Sequence, residues 1–359
     1  MGRSREKRFR HSDDRKRSVK CVVWDLDNTI WNGVLLENDR LSLRENVRSI
    51  IKTLDNRGIL QSIVSKNSLA AAMKKLSEFG LDEYFLHPQI GWNSKASSIK
   101  HIARSLNIGT DAMAFIDDQP FEREEVTFSF PEVLCVDAKD LDRLLDMPEM
   151  NPGLVSEDSK MRRSMYMSDL SRQSLEQAFD GPKEAFLASL HMVLTIFPAG
   201  QEDLLRAEEL TVRTHQLNTT GYTYSYEELD RFRQSKEHIL LMARLEDKFG
   251  PYGHIGLALV RCKREVWTIK LLLMSCRVMS RGIGSIILSQ IMTMAKKKGV
   301  RLRAEYMENG RNRMMHITYR FAGFYEIERQ GEQCLFENDL TNIQPFPDYV
   351  GVRIDDRSV

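Results

Sequence analysis

The chain reads as two α/β units in series: a Rossmann-like unit with a parallel sheet and a minimal cap, followed by a mixed α+β unit. Three observations predict this. Over residues 18–146, short apolar runs alternate with amphipathic stretches, the mark of strands joined by crossover helices. Several of those runs end on polar groups, above all Asp25-Leu-Asp-Asn-Thr29 after Cys21-Val-Val-Trp24. The second half runs differently, with a strand, two helices, three strand-like runs and then a long helix. A length of 359 residues makes two domains the natural expectation. The expected division is a basic tail over 1–18, the parallel-sheet unit over 19–146, a helical connector over 147–183, the α+β unit over 184–345 and a C-terminal tail over 346–359.

In the first unit, a strand ending in two carboxylates one residue apart cannot bury both in its sheet. That end is therefore open to solvent, a metal or a substrate, and ionised carboxylates there need a compensating cation. Leu43 to Arg57 is an amphipathic helix stopped by Gly58. Ile59-Leu-Gln-Ser-Ile-Val-Ser65 is a second strand, ending on a hydroxyl. Ser68 to Phe79 is a helix capped by Gly80, and Ser94-Lys95 opens another that runs to about Leu106. Ala112-Met-Ala-Phe-Ile116 is a third strand, ending on Asp117-Asp118, and Pro131 leads into a strand over Glu132–Val136. Asp25, Ser65 and Asp117 all fall at strand carboxyl ends, where parallel sheets place their active sites. Trp31 to Asp39 is the one stretch able to fold over that end.

In the second unit, Leu190–Phe197 reads as a strand, Glu202–Thr214 and Ser225–Ser235 as helices. Strand-like runs cover Ile239–Glu246, His254–Cys262 and Val266–Met274, and a long helix covers Ile283–Lys298. Two glycines, Gly282 and Gly284, precede or open that helix within Met279-Ser-Arg-Gly-Ile-Gly284, where exposed N–H donors suit a phosphate.

Composition narrows the function classes. An apolar content of 42% supports full cores, and a net charge of +1 gives no global reason to expect nucleic acid. Cys21, Cys135, Cys262, Cys276 and Cys334 show no CxxC spacing, which fits free thiols in a reducing cytoplasm. No apolar stretch reaches the length of a membrane span. The expectation is a cytoplasmic protein with neither nucleic-acid nor membrane partners; the basic start is expected to be a solvated tail.

The four strand-end features of the first unit resemble the motifs of the haloacid dehalogenase (HAD) phosphohydrolase superfamily: DxDxT, a Ser at a strand end, a Lys near a helix start and a terminal DD. The second half resembles the GNAT acyltransferase fold, with Met279 where Gln or Arg is usual in the phosphate loop. Together the halves resemble the FkbH-like proteins, a HAD subfamily IIIC branch fused to a GNAT-like domain. This rests on Lys20–Val34, Val64-Ser-Lys-Asn67, Phe115–Val126, Arg213-Thr-His-Gln-Leu-Asn218, Leu273–Val278 and Arg281-Gly282. The resemblance implies a glyceryl transferase/phosphatase of polyketide biosynthesis. Such a protein takes the glyceryl group of 1,3-bisphosphoglycerate, removes its phosphate and loads it onto the phosphopantetheine arm of an acyl carrier protein.

In that reading Asp25 is the nucleophile and Asp27 the proton shuttle. Mg²⁺ is expected on Asp25, Asp27 (through its carbonyl), Asp117 and Asp118. Ser65, Asn67 and Lys95 are expected to hold the phosphoryl group, and Arg277, Arg281, Gly282 and Gly284 to line a second anion-binding loop. A thioester would need a reachable thiol. Cys21 lies about 13 Å upstream of Asp25 on an extended strand, whereas Cys276 ends a strand beside Arg277, which would lower its pKa. Cys276 is therefore the expected acyl carrier, with His215 or His254 as its base. The competing readings are an N-acyltransferase with a vestigial HAD domain, or a module that only docks a carrier protein.

Overall fold

The computed structural model describes residues 18–37 and 40–355. The basic tail lies outside these residues apart from Ser18, as do residues 38 and 39 of the stretch expected to fold over the site. The chain divides into two compact units, residues 1–153 and 154–359.

The first unit is built on a five-stranded parallel sheet. Its strands are β1 (Cys21–Trp24), β4 (Leu60–Ser65), β5 (Gln89–Ile90), β6 (Met113–Asp117) and β7 (Leu134–Asp137), in the order β5-β4-β1-β6-β7. The central strand β1 is buried along its length, with Cys21 registered between Leu60 and Met113. Five helices accompany the sheet: α1 (Val47–Asn56), α2 (Leu69–Glu78), α3 (Lys95–Leu106), α4 (Pro120–Ser129) and α5 (Leu141–Leu144). Ile51 and Leu54 of α1 and Leu76 of α2 join Trp24, Ile63 and Ile116 of the sheet in one apolar core. The first helix starts four residues later than the sequence predicts. Ser42–Leu43 pairs instead as β3 with β2 (Trp31–Asn32), and Asn46 turns the chain into the helix with a left-handed φ of 65°.

The second unit carries an eight-stranded mixed sheet in the order β13-β14-β12-β11-β10-β9-β8-β15. Strands β8 (Met192–Pro198), β9 (His238–Asp247), β10 (Gly250–Cys262) and β11 (Val266–Met274) pair antiparallel in sequence order. Strand β12 (Arg301–Met307) joins β11 in parallel, and β13 (Tyr325–Gln330) and β14 (Gln333–Asn338) complete that edge. Alternation along the strands feeds two cores. Leu241, Ala243 and Leu245 face one with α11 (Ile283–Lys298) and α12 (Arg313–Phe321). Leu240 and Met242 face the other with α9 (Leu204–Arg213) and α10 (Tyr226–Gln234).

Two of the expected boundaries are corrected. The stretch read as a connector holds α6 (Glu157–Lys160), α7 (Arg162–Ala178) and the start of α8 (Lys183–Ser189), and from residue 154 it is part of the second unit. Helix α7 is bound by Arg172, which grips Asp247 through Nε and Nη2 at 2.7 and 2.8 Å and stacks 3.7 Å from the Tyr252 ring centroid. Several charges of this segment are committed to internal ion pairs, Arg162 with Glu209 and Arg172 with Asp247. The C-terminal stretch read as a tail contains β15 (Val350–Ile354), paired in parallel with β8.

Candidate active site

The carboxyl ends of β1, β4 and β6 bring together side chains far apart in sequence. Asp25 follows β1, and its N–H still donates to the Ile116 carbonyl at 2.9 Å, so its position is set by the parallel ladder. Asp117 ends β6 and Asp118 follows it. One carboxylate oxygen from each of Asp25, Asp117 and Asp118 lies within 4.8 Å of the others. Lys95, the first residue of α3, enters from the β4 side. Its Nζ donates to Asp25 Oδ1 at 2.5 Å and to the Val64 carbonyl at 2.9 Å, and sits 3.0 Å from Asp117 Oδ2. Ser94 fixes where that helix starts, because its hydroxyl accepts from Ser97 N–H.

Electrostatics at this end are set by burial. Asp25, Asp117 and Lys95 are each less than a tenth exposed. Burial pushes Asp25 up to about 7; Lys95 pulls it down and Asp117 adds to the rise. Burial pulls Lys95 down, but the Asp25 and Asp117 carboxylates more than offset it, so its pKa is raised. Burial, then Asp117, raises Asp118. Three carboxylates thus face one lysine. Asp117 Oδ2 is buried and, although close to Lys95 Nζ, is not aligned for a hydrogen bond. Three carboxylates around a single lysine are under-compensated, and their converging hard oxygen donors fit a divalent cation.

Asp27 is placed differently from the other three acids. Its Oδ1 accepts from Trp31 Nε1 at 2.8 Å and Leu35 N–H at 3.0 Å, and its Oδ2 accepts from Asn67 Nδ2 at 3.0 Å. Its carboxylate does not join the acidic group, which leaves it for proton transfer rather than metal ligation. The turn that carries it is shaped by Asn28, at a left-handed φ of 53°, whose side chain accepts from Gly33 N–H. Asn67 is buried and orients Asp27, while Ser65 ends β4, buried, with its carbonyl accepting from Gly91 N–H. Sequence reasoning missed several supports. Trp31 and Leu35 hold Asp27, Arg123 holds the Asp117 carbonyl at 2.7 Å, and Lys66 pairs with buried Glu122 at 2.7 Å. Arg123 and Glu122 lie on α4, which no expected element covered, and nothing local aims them back at β6 or β4.

In the second unit the expected thiol site takes another form. Cys276 is half-buried and begins a short 3₁₀ turn after β11. Arg277 Nη2 is committed to the Tyr252 carbonyl at 2.7 Å. His254 is held between Asp158 and Asp203, 3.3 Å from each; burial would lower its pKa, but the two carboxylates push it up to about 9. It is an imidazolium at neutral pH, so it does not serve as a base. Cys21 is fully buried, and burial raises its thiol pKa far above the ordinary value. The two glycines have packing reasons of their own. A Cβ on Gly284 would lie 2.5 Å from Met274 Sδ, and one on Gly282, at φ 75°, would lie 2.6 Å from the Tyr349 hydroxyl. Strands β11 and β12 pair only as far as Ile269 and Ala304. Beyond that point Thr219 lies between them, donating to the Leu272 carbonyl at 3.0 Å and accepting from Met307 N–H at 2.9 Å.

Residues 1–124 match the family model for haloacid dehalogenase-like hydrolases. The N-terminal part of a Bacteroides fragilis protein containing a phosphatase domain, solved in complex with Mg, is 32% identical over 35% of this chain and 38% of that one, with TM-score 0.30. The chain therefore spans well under half of that structure. The ribosomal-protein-S18-alanine N-acetyltransferase of Escherichia coli is 18% identical over 40% of this chain and 91% of its own, with TM-score 0.33. An N-acetyltransferase from Thermoplasma acidophilum, solved in complex with coenzyme A, is 18% identical over 40% and 98%, with TM-score 0.31. No curated protein matches the chain. The fold class is the one the sequence predicts: an α/β unit with a parallel sheet, over most of which the hydrolase family model matches, followed by a mixed α+β unit. Among the described residues no helix is long and apolar enough to cross a membrane.

Proposed function

We propose that the first unit is a Mg²⁺-dependent phosphohydrolase whose nucleophile is Asp25. The observation that carries this is the meeting of Asp25, Asp117 and Asp118 within 4.8 Å at the carboxyl edge of a parallel sheet, with Lys95 bridging Asp25 and Asp117. Asp25, Asp117 and Asp118 would hold the cation, which supplies charge neutralisation for phosphoryl oxygens. The Asp25 carboxylate attacks phosphorus, the bond from phosphorus to the leaving oxygen breaks, and Asp27 donates a proton to that oxygen. Asp27 then takes a proton from water, which attacks the aspartyl-phosphate and releases inorganic phosphate with Asp25 restored. Trp31, Leu35 and Asn67 fix Asp27 for both transfers. Lys95 tethers the Asp25 oxygen that does not attack and offsets charge as the phosphoryl group arrives.

The FkbH-like resemblance extends the proposal to the substrate, 1,3-bisphosphoglycerate: a thiolate attacks its acyl carbon and the C1 phosphate leaves, the Asp25 centre removes the 3-phosphate, and thiol exchange passes the glyceryl group to the phosphopantetheine thiol of an acyl carrier protein. The plug at Thr219 and the glycine packing disfavour a stand-alone CoA-dependent N-acyltransferase, because a ligand laid between β11 and β12 would have to displace a hydrogen-bonded segment of the chain. The test is phosphate release from 1,3-bisphosphoglycerate with Mg²⁺ and with EDTA, alongside intact-protein mass spectrometry. The expected result is metal-dependent release and a glyceryl adduct that carrier protein removes. Full turnover in a chelated preparation would refute the phosphohydrolase reading; release with no adduct and no loaded carrier would refute only the transfer.

A further inference from the structure

The carboxyl edge of the first sheet holds more than the acidic centre. Beyond β4 the short strand β5 forms the margin of the sheet, with Val64 registered to Gln89 and Ser65 to Ile90. Gly91 N–H then donates to the Ser65 carbonyl at 3.0 Å. Against this end lies a partly open cavity of about 110 Å³, whose lining includes Leu69, Gln89, Gly91, Asn93 and Ser98. Its walls continue directly from residues of the site. Leu69 follows Asn67 by two positions, Asn93 precedes Lys95 by two, and Ser98 lies almost one turn beyond Lys95 on α3. Neighbouring strands are about 4.8 Å apart, so β5 stands roughly 10 Å from β1, the strand that leads into Asp25.

The lining and the size define what fits. None of the residues that line the cavity is charged, so a second phosphate or a carboxylate would find no counter-ion in its walls. Polar groups are nevertheless on offer. Ser98 is 5% exposed, and its hydroxyl bonds to none of the described residues. Gln89 spends its amide N–H groups on the His87 and Pro88 carbonyls, at 3.2 and 3.3 Å, which leaves its Oε1 to accept. A ligand hydroxyl both donates and accepts, so it can answer the two at once. An apolar cavity of about 150 Å³ holds a benzene ring; this smaller space takes a group of a few heavy atoms.

We infer that this cavity receives the short hydroxylated chain of the phosphoester cleaved at Asp25, with Ser98 and Gln89 bonding a hydroxyl of that chain. The inference rests on the phosphohydrolase reading of the first unit and adds a substrate class to it: phosphomonoesters whose short chain carries uncharged hydroxyls. Ser65 and Lys95 lie on the path between Asp25 and the cavity, since β4 separates β5 from β1 and Lys95 Nζ reaches both Asp25 and the Val64 carbonyl. A phosphoryl group at Asp25 and a three-carbon chain attached to it together span a distance of the order that separates β1 from β5. Selectivity then comes from the wall: a chain that lacks the hydroxyl leaves the Ser98 group unanswered in a buried place.

The test compares, on the full chain with Mg²⁺, glycerol 3-phosphate and 3-hydroxypropyl phosphate, which lacks the middle hydroxyl. Hydrolysis of p-nitrophenyl phosphate, whose ring exceeds the cavity, reports the phosphohydrolase centre by itself. The wild type should favour glycerol 3-phosphate over the deoxy analogue on the order of tenfold or more in kcat/KM. Ser98→Ala, a small change within a helix, should bring that ratio towards one. A Cβ on Gly91 would meet nothing within 4 Å, so Gly91→Leu builds the wall out without a clash at its first atom. It should lower kcat/KM for glycerol 3-phosphate relative to that for p-nitrophenyl phosphate, also by tenfold or more. A wild type that hydrolyses p-nitrophenyl phosphate without favouring glycerol 3-phosphate, or a preference unchanged in Ser98→Ala, would overturn the cavity's role and leave the phosphohydrolase reading standing. Hydrolysis of none of the three esters would refute that reading, and the inference with it.

Discussion

At the scale of single residues, Lys95 is the side chain on which the acidic centre depends. It is buried between two buried carboxylates, and its removal leaves Asp25 and Asp117 facing each other without a cation. Lys95→Met should therefore cost about 3–5 kcal/mol of stability and slow phosphate release sharply. Because Mg²⁺ would compensate the same charges, it should raise the melting temperature of this variant more than that of the wild type. Equal Mg²⁺ shifts in both, measured by calorimetry, would count against a cation at this site. Asp25, Ser65, Lys95 and Asp117 were legible in the sequence for a simple reason. Each lies at the end of a short apolar run or the start of an amphipathic one, a signal that survives without tertiary knowledge. The partners of Asp27 were not legible, because Trp31, Leu35 and Asn67 reach it across a tight turn and from a neighbouring strand. The misreading of His254 has the same origin: Asp158 lies 96 positions away, and no local pattern announces two carboxylates around one imidazole.

At the scale of elements, the ion pairs of the segment read as a connector decide how α6 and α7 are held. Arg172 and Asp247 are wholly buried, so Arg172→Met leaves an unpaired carboxylate inside the second unit. The expected loss is about 3–5 kcal/mol, with faster amide exchange along α7; a loss below about 1 kcal/mol would show that α7 docks through its apolar contacts alone. His254 fastens α6 to β10 by a charge, with Asp158 accepting from the His254 backbone N–H at 2.7 Å as well. Its folded pKa, raised to about 9, lies above the ordinary value of 6.5. The stabilisation is therefore complete below about pH 6.5 and is lost as pH rises through about 9, amounting to roughly 3 kcal/mol at most. Unfolding free energies of the wild type should fall over that window relative to His254→Gln. Parallel pH curves for the two proteins would contradict the clamp. Periodicity located β1, β4, β6 and β7 and the helices α2, α3, α9, α10 and α11, but not the start of α1 or the strand β15. Both are decided by pairing, Ser42 with Asn32 and Val350 with Met192, which no one-dimensional pattern contains.

At the scale of the whole molecule, the two units carry different chemistry. The first gathers carboxylates at the edge of a parallel sheet; the second gathers arginines around α7 and the turn after β11. The claim on which the rest depends is the covalent step at Asp25. Rapid-quench peptide mapping of the Asp27→Asn variant, given Mg²⁺ and p-nitrophenyl phosphate, whose leaving group departs without a proton, tests it most directly. With the proton shuttle removed, the account predicts that a phosphoryl group accumulates on the peptide containing Asp25, and that Asp25→Asn abolishes both the adduct and phosphate release. Phosphate release by Asp25→Asn at near wild-type rate, with no phosphorylated peptide in either variant, would contradict it.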